Sequence, residues 1–219
     1  MQDAFGGAPV LRTLKESQLL HDLAGGCVHE LTENRRSDER IFRFLQYLRV
    51  DEAEQVPLRD AVQVAREQFP MRGLPDTCLV ISHAHRMAIN DRENRRLAPE
   101  GAVLLEHQAQ GPAGTNQPQT MRLWPGLRLV GAGGRVPKGC FVTVREADER
   151  IVLDDGQSFT PAELLRSTHL CHAITYASCQ GLTLRGRVWL CDTLNPHFSV
   201  KHLYVGASRC TGAELLSVL

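Results

Sequence analysis

Thr77-Cys78-Leu79-Val80-Ile81-Ser82-His83 is an unbroken run of apolar and β-branched residues closed by two polar ones. A strand wetted on one side alternates apolar with polar residues. One without alternation is buried on both faces, as in a parallel sheet covered by helices. Helix-forming sequence follows to about Asn94, so the stretch predicts a strand feeding directly into a helix. That order belongs to α/β folds, whose ligands gather at the carboxyl edge of the strands, where Ser82 and His83 stand.

Upstream, Leu58, Ala61, Val62, Ala65 and Phe69 fall on one side of a helix that stops before Pro70. Ile41, Phe42, Leu45 and Leu48 mark an earlier helix, with Ser37 as its predicted cap and Asp38 and Glu39 in its first turn. A short strand-like run, Cys27 to Leu31, precedes it, and residues 1–23 read as a lead-in segment that begins with glycine- and proline-bearing sequence. Downstream, Gly, Pro, Gln and Asn dominate 111–119. Short β-type pieces then follow at Leu127 to Gly131, Cys140 to Arg145, Arg150 to Leu153 and Gln157 to Phe159. Asp155-Gly156 and the charged stretch Glu146 to Glu149 are turn signals between them, so the region predicts a small antiparallel barrel or meander. After Pro161 the α/β pattern resumes: a helix over 172–178, a strand at Val188 to Cys191, a helix at His202 to Ser208 and a last strand at Glu214 to Leu219. The expected organisation is an α/β domain over 24–108 and 164–219, interrupted by a small β-barrel insert over 109–163.

Composition excludes more than it identifies. The 25 basic and 25 acidic side chains cancel, so a nucleic-acid contact must come from a local patch rather than a global field. Seven cysteines, an odd set without a C-x-x-C pair, read as reduced thiols of an intracellular protein, cytoplasmic or nuclear. His169, Cys171, His172 and Cys179 match no standard zinc spacing, and no metal site is expected. No run of eighteen apolar residues indicates a membrane span. G-x-x-x-x-G-K-[ST] is absent. The cluster Gly131-Ala132-Gly133-Gly134-Arg135-Val136-Pro137-Lys138-Gly139 has the wrong spacing and a proline before its lysine.

The segment Ala173-Ile174-Thr175-Tyr176-Ala177-Ser178-Cys179-Gln180-Gly181-Leu182-Thr183-Leu184 resembles helicase motif V of superfamily 1B, the RecD-like and Pif-type group. Leu203-Tyr204-Val205-Gly206-Ala207-Ser208-Arg209, some twenty residues on, is similar to motif VI. Leu31-Thr32-Glu33-Asn34-Arg35-Arg36-Ser37 resembles motif IV, and Thr77 to Asn90 resembles the family strand that ends in a polar pair and enters a helix bearing an Asn. Four motifs in family order span about two-thirds of the chain.

This resemblance implies the second RecA-like half of an ATP-dependent DNA helicase. Arg209 and Arg36 would act as catalytic arginines on ATP that, with Mg²⁺, is held mainly by a cognate N-terminal RecA-like domain carrying the P-loop. An arginine supplied from a neighbouring lobe is worth roughly 10³ to 10⁵ in phosphoryl-transfer rate. Gly181 and Thr183 would join both arginines in contacting nucleotide; Ser82, His83, Thr175, Ser178 and Gln180 would contact single-stranded DNA. RNA fits the same backbone contacts, and the 5′-to-3′ direction is implied by the family alone. Alone, the chain is expected not to hydrolyse ATP. Where the family has His-Lys-Ser before Gln-Gly, this chain has Ala177-Ser178-Cys179, which removes a positive charge and leaves open a non-catalytic nucleic-acid-binding or protein-docking module. Trp124 reads as core rather than as a base-stacking platform, and the histidine of Ser82-His83 reads nearly as well as a cap of the next helix.

Overall fold

In the computed structural model the described residues are 17–27, 35–49, 55–107 and 117–219. Most of the predicted strand at Cys27 to Leu31, most of the motif IV-like segment Leu31 to Ser37 and most of the lead-in lie outside them. Within the lead-in, Gln18–Leu23 forms a short helix, α1, capped by Ser17.

Four strands form a parallel sheet: β1 (Thr77–Val80), β9 (Ala173–Thr175), β10 (Val188–Leu190) and β11 (Leu216–Val218), in the spatial order β11-β10-β1-β9. The pairs Leu79↔Leu190, Val80↔Thr175 and Leu190↔Val218 set the register. Helices α2 (Glu39–Leu48), α3 (Leu58–Gln68) and α6 (Val200–Ala207) pack together on one face, and α4 (His83–Leu97) covers the other. Strand alternation accounts for this division. Leu79, Ile174, Val188 and Leu190 point into the core with Phe44, Phe69 and Leu203, while Cys78, Val80, Ala173 and Cys191 pack against Ile89 of α4. Both sides of β1 are buried, which is why its sequence does not alternate.

Helix α2 starts one residue later than the sequence suggests. Asp38, not Ser37, is the cap: one carboxylate oxygen accepts from the Ile41 amide at 2.9 Å and the other from the Ala213 amide at 2.6 Å. A carboxylate offers two acceptors where a serine offers one, so Asp38 caps the helix and ties it to the loop after α6.

The insert is antiparallel. Strands β4 (Arg128–Gly131), β5 (Phe141–Ala147), β6 (Ile151–Leu153), β7 (Ser158–Phe159) and β8 (Thr168–Leu170) lie in the order β7-β6-β5-β4-β8, so this sheet also takes in a strand beyond residue 163. The predicted turn at Asp155-Gly156 joins β6 to β7, with the Gly156 amide on the Leu153 carbonyl. A helix, α5 (Pro161–Ser167), enters through a capping box between Thr160 and Glu163. A second two-stranded sheet, β2 (Val103–Leu105) with β3 (Met121–Leu123), adds Leu105, Met121 and Leu123 to the insert core, and Trp124 packs against its edge.

The predicted helix over 172–178 is a strand followed by tight turns. β8 ends at Leu170 and β9 begins at Ala173, so the chain crosses from one sheet to the other within two residues. The Ser178 amide donates to Thr175 Oγ1 at 3.2 Å and the Thr175 hydroxyl to Ser178 Oγ at 2.8 Å. Such local side-chain bonds compete with helix, and the edge of β1 supplies Ala173, Ile174 and Thr175 with ladder partners. Helix α4 braces the crossing. The Asn90 amide group donates to the Leu170 and Ala173 carbonyls at 3.2 and 3.1 Å, and its oxygen accepts from the Ala173 amide at 2.7 Å. One turn on, Asn94 makes paired bonds with the backbone of Arg122 in β3. Two asparagines on one helix face therefore fix the sheets to each other.

Candidate functional site

The sequence-predicted residues fall into two neighbouring groups. In the first, Arg209 follows the last turn of α6, where helix carbonyls favour a cation. Its guanidinium lies back on the helix end, donating from Nε and Nη2 to Ser208 Oγ at 3.1 and 2.8 Å, from Nε to the Val205 carbonyl at 3.3 Å, and from Nη1 to the Leu182 carbonyl at 3.5 Å. Arg36, exposed and 172 positions away in sequence, donates from Nη1 to the Ser208 carbonyl at 3.5 Å. The Arg209 pKa is lowered by burial and then by the charge of Arg36. Among the described residues no carboxylate lies within ion-pair distance of Arg209.

Gly181 and Thr183 flank the residue that receives Arg209. The Leu184 amide donates to the Arg209 carbonyl at 2.8 Å, and Leu184 bridges Cys210, so the segment 181–184 is tied to the arginine from both sides. Gly181 is exposed at φ 82°, a left-handed conformation open to glycine without strain, and Thr183 is also exposed. Arg36, Arg209, Gly181 and Thr183 thus share one end of the molecule.

In the second group, Ser82 and His83 leave β1 at its carboxyl end, and Thr175 leaves the adjacent β9 at the same edge. Ser82 caps α4, its hydroxyl accepting from the His85 amide at 3.1 Å. His83 is half-buried with Nδ1 unpartnered, and burial, followed by the charge of Arg86, lowers its pKa. Ser178 lies beside Thr175, and Gln180 follows, half-buried in the turn.

Several residues at this edge escaped the sequence reading. Asp192, just past β10, has φ 63°; one of its oxygens accepts from the Ile81 amide at 2.8 Å, and the other lies 2.8 Å from His85 Nδ1. An aspartate directly after an apolar strand was the available signal, by the same edge rule that selected Ser82. Arg86, Lys138 and His169 line a cleft with Thr175 and Ser178 at the crossing from β8 to β9. Arg86 is 3% exposed and His169 7%. Burial, aided by Arg86 and then His83, pushes the His169 pKa down to about 4, so the ring is neutral at pH 7. No sequence signal marked these three, which come from different elements.

Among the described residues no group of three His, Cys, Asp or Glu side chains is placed to hold a metal ion. The Arg209 guanidinium, with no carboxylate beside it among the described residues and Arg36 bonded to the adjacent Ser208 carbonyl, fits a polyanion such as a nucleotide phosphate. No helix among the described residues is long and apolar enough to cross a membrane.

A parallel sheet with helices on both faces, joined to an antiparallel insert, is the fold of a RecA-like lobe, the class to which the likeness to solved structures assigns this chain's fold. Solved structures that share it include Pif1 helicases. One from Candida albicans aligns with a TM-score of 0.55 and 16% identity over 83% of this chain and 53% of its own. Another, of two coordinating Pif1 helicases unwinding forked duplex DNA, gives 0.57 and 13% over 92% and 56%. The Bacteroides Pif1 helicase in complex with ADP-AlF3 and single-stranded DNA gives 0.55 and 16% over 87% and 51%. The chain spans about half the length of these helicases. No family model matches the sequence, and no curated protein matches it.

Proposed function

We propose that this chain is the second motor lobe of an ATP-dependent DNA helicase, translocating on single-stranded DNA and unwinding duplex, with 5′-to-3′ movement as the family resemblance implies. The observation that carries this reading is the meeting of Arg36 and Arg209 at Ser208, which gathers positive charge from two distant motifs at one point. ATP and Mg²⁺ belong mainly to a cognate first RecA-like domain, and bound ATP supplies the phosphoryl group and its developing negative charge. Arg209 and Arg36 serve to stabilise that charge, with Gly181 and Thr183 beside them at the nucleotide. Ser82, His83, Thr175, Ser178 and Gln180 lie along the DNA track. The cation count is suited to the task, because charge placed where negative charge develops acts most strongly in a dry cleft.

A second reading, a non-catalytic binding or docking module, is favoured by the inward-folded guanidinium of Arg209 and by Ala177-Ser178-Cys179 in place of a basic motif. ATP turnover separates the two. Pairing the chain with a P-loop-bearing first lobe should restore DNA-stimulated hydrolysis; a complex that assembles yet shows none favours the docking module.

A further inference from the structure

The cleft where the chain crosses from β8 to β9 holds a cation without a counter-charge. Arg86, on the buried side of α4, has one weak acceptor, the Gln117 carbonyl at 3.4 Å, while its Nε is buried without a partner. Among the described residues no carboxylate lies within ion-pair distance of it. Both ring nitrogens of His169 are likewise buried and unpartnered. Lys138, exposed on the loop between β4 and β5, brings a second positive charge to the rim. Thr175 and Ser178 line the same cleft, and their mutual bond leaves the Ser178 proton available to donate. Ile174 and Leu182 supply apolar wall, which excludes water and strengthens any ionic contact made there. Buried charge is retained where it is paired, and buried donors where they are bonded, so the missing partner is an acceptor-rich anion.

We propose that this cleft is a seat for one backbone phosphate of a single-stranded nucleic acid, gripped by Arg86 and Lys138, with the Ser178 hydroxyl and the His169 ring as further donors. The assignment rests on the nucleic-acid reading above and deepens it: contact extends from the carboxyl ends of β1 and β9 into the seam between the sheets. A phosphodiester oxygen accepts several hydrogen bonds, which suits donors that converge from α4, β8, the β4–β5 loop and the turn after β9.

The test is the fluorescence anisotropy of labelled oligothymidylate titrated with the whole chain across a range of NaCl, for the parent, Arg86→Leu, Lys138→Gln and the remote control Arg43→Gln. Arg86→Leu and Lys138→Gln should each weaken binding roughly tenfold and lower the slope of log affinity against log salt by about one. Arg43→Gln should match the parent. Arg86→Leu should melt at or above the parent's temperature, because it removes a desolvated charge; a purely structural arginine would lower the melting temperature and leave the affinity of the folded protein unchanged. If the parent binds and both cleft variants retain its affinity and salt slope, the seat is wrong while the nucleic-acid reading stands. If the parent does not bind oligothymidylate, that reading fails. Inorganic phosphate that shifts the His169 ring resonances in such a protein then assigns the cleft to a free phosphate instead.

Discussion

Ser208 links Arg36 to Arg209: its carbonyl accepts from Arg36 at 3.5 Å while its hydroxyl accepts from Arg209 at 2.8 and 3.1 Å. Burial, and then the charge of Arg36, lowers the Arg209 pKa, so an anion reaching this end of the molecule would favour the charged Arg209 guanidinium.

In the two-lobe protein, Arg209→Ala should therefore lower ATP turnover by about 10³-fold or more while leaving ATP binding close to the parent's, with thermal unfolding as the control for the buried hydrogen bonds it removes. Arg209→Lys should recover little, since an ammonium lacks the planar fork of a guanidinium. Arg36→Ala should resemble Arg209→Ala. Arg43→Ala, which breaks only an exposed i,i+4 pair with Glu39, should be almost silent. Parental turnover in Arg209→Ala removes the arginine from the mechanism.

Asn90 should matter for stability more than any exposed charge. It is wholly buried, and Asn90→Ala deletes three hydrogen bonds that pin α4 to the crossing between the sheets. The expected loss is about 2–4 kcal/mol, since buried backbone groups lose partners that water cannot replace. Urea unfolding measures it, and a loss below about 0.5 kcal/mol contradicts the bracing role.

Gly206 in α6 opposes two effects of similar size. Alanine should gain about 1 kcal/mol of helix propensity. Its Cβ, however, would lie 2.7 Å from Leu190 Cδ2 and 2.9 Å from Tyr176 Cε1. Leu190 has rotamer freedom in principle, but the Tyr176 ring is pinned by its hydroxyl bond to the Cys191 carbonyl at 2.9 Å. Overpacking of about 1–3 kcal/mol should win, so Gly206→Ala melts below the parent and Gly206→Val lower still. A rise in melting temperature on Gly206→Ala would show that the interface yields.

Acid should weaken the fold through His169. Its folded pKa of about 4 lies below the ordinary 6.5, so between these values the unfolded chain takes up a proton that the folded protein refuses. Its contribution is whole above pH 6.5 and is lost as pH falls toward 4, at a cost of about 3 kcal/mol. His83 and His172 are shifted the same way, chiefly by burial, and act in the same direction. Denaturation midpoints at pH 7.5, 6 and 5 for the parent and His169→Gln measure the effect. Equal slopes in the two proteins would exclude His169 as its source.

The sequence by itself determined what local pattern encodes. The unalternating run at Thr77–Val80 specified a strand buried on both faces; the spacing of Ala61, Val62 and Ala65 specified the inner face of α3; Asp155-Gly156 specified a hairpin turn. These follow from the pitch of a helix and the pleat of a strand, which span a few residues. The motif resemblance likewise singled out Arg36 and Arg209, but sequence spacing said nothing about how near each other they lie.

Only the tertiary structure decided the rest. Ala173 to Thr175 is too short to display a period, and the open edge of β1 made it a strand where composition suggested helix. The meeting of Arg36 with Ser208 depends on how α6 lies against α2, and the cleft draws Arg86, Lys138 and His169 from three separate elements. Arg86 illustrates the physical reason. On a helix whose outward face is rich in arginine, sequence gives it no distinction from Arg92 or Arg95, which sit in exposed ion pairs with Glu93 and Asp91. Packing α4 against two sheets at once turns one arginine inward and leaves the others in water. Its charge acquires meaning from what the fold places around it.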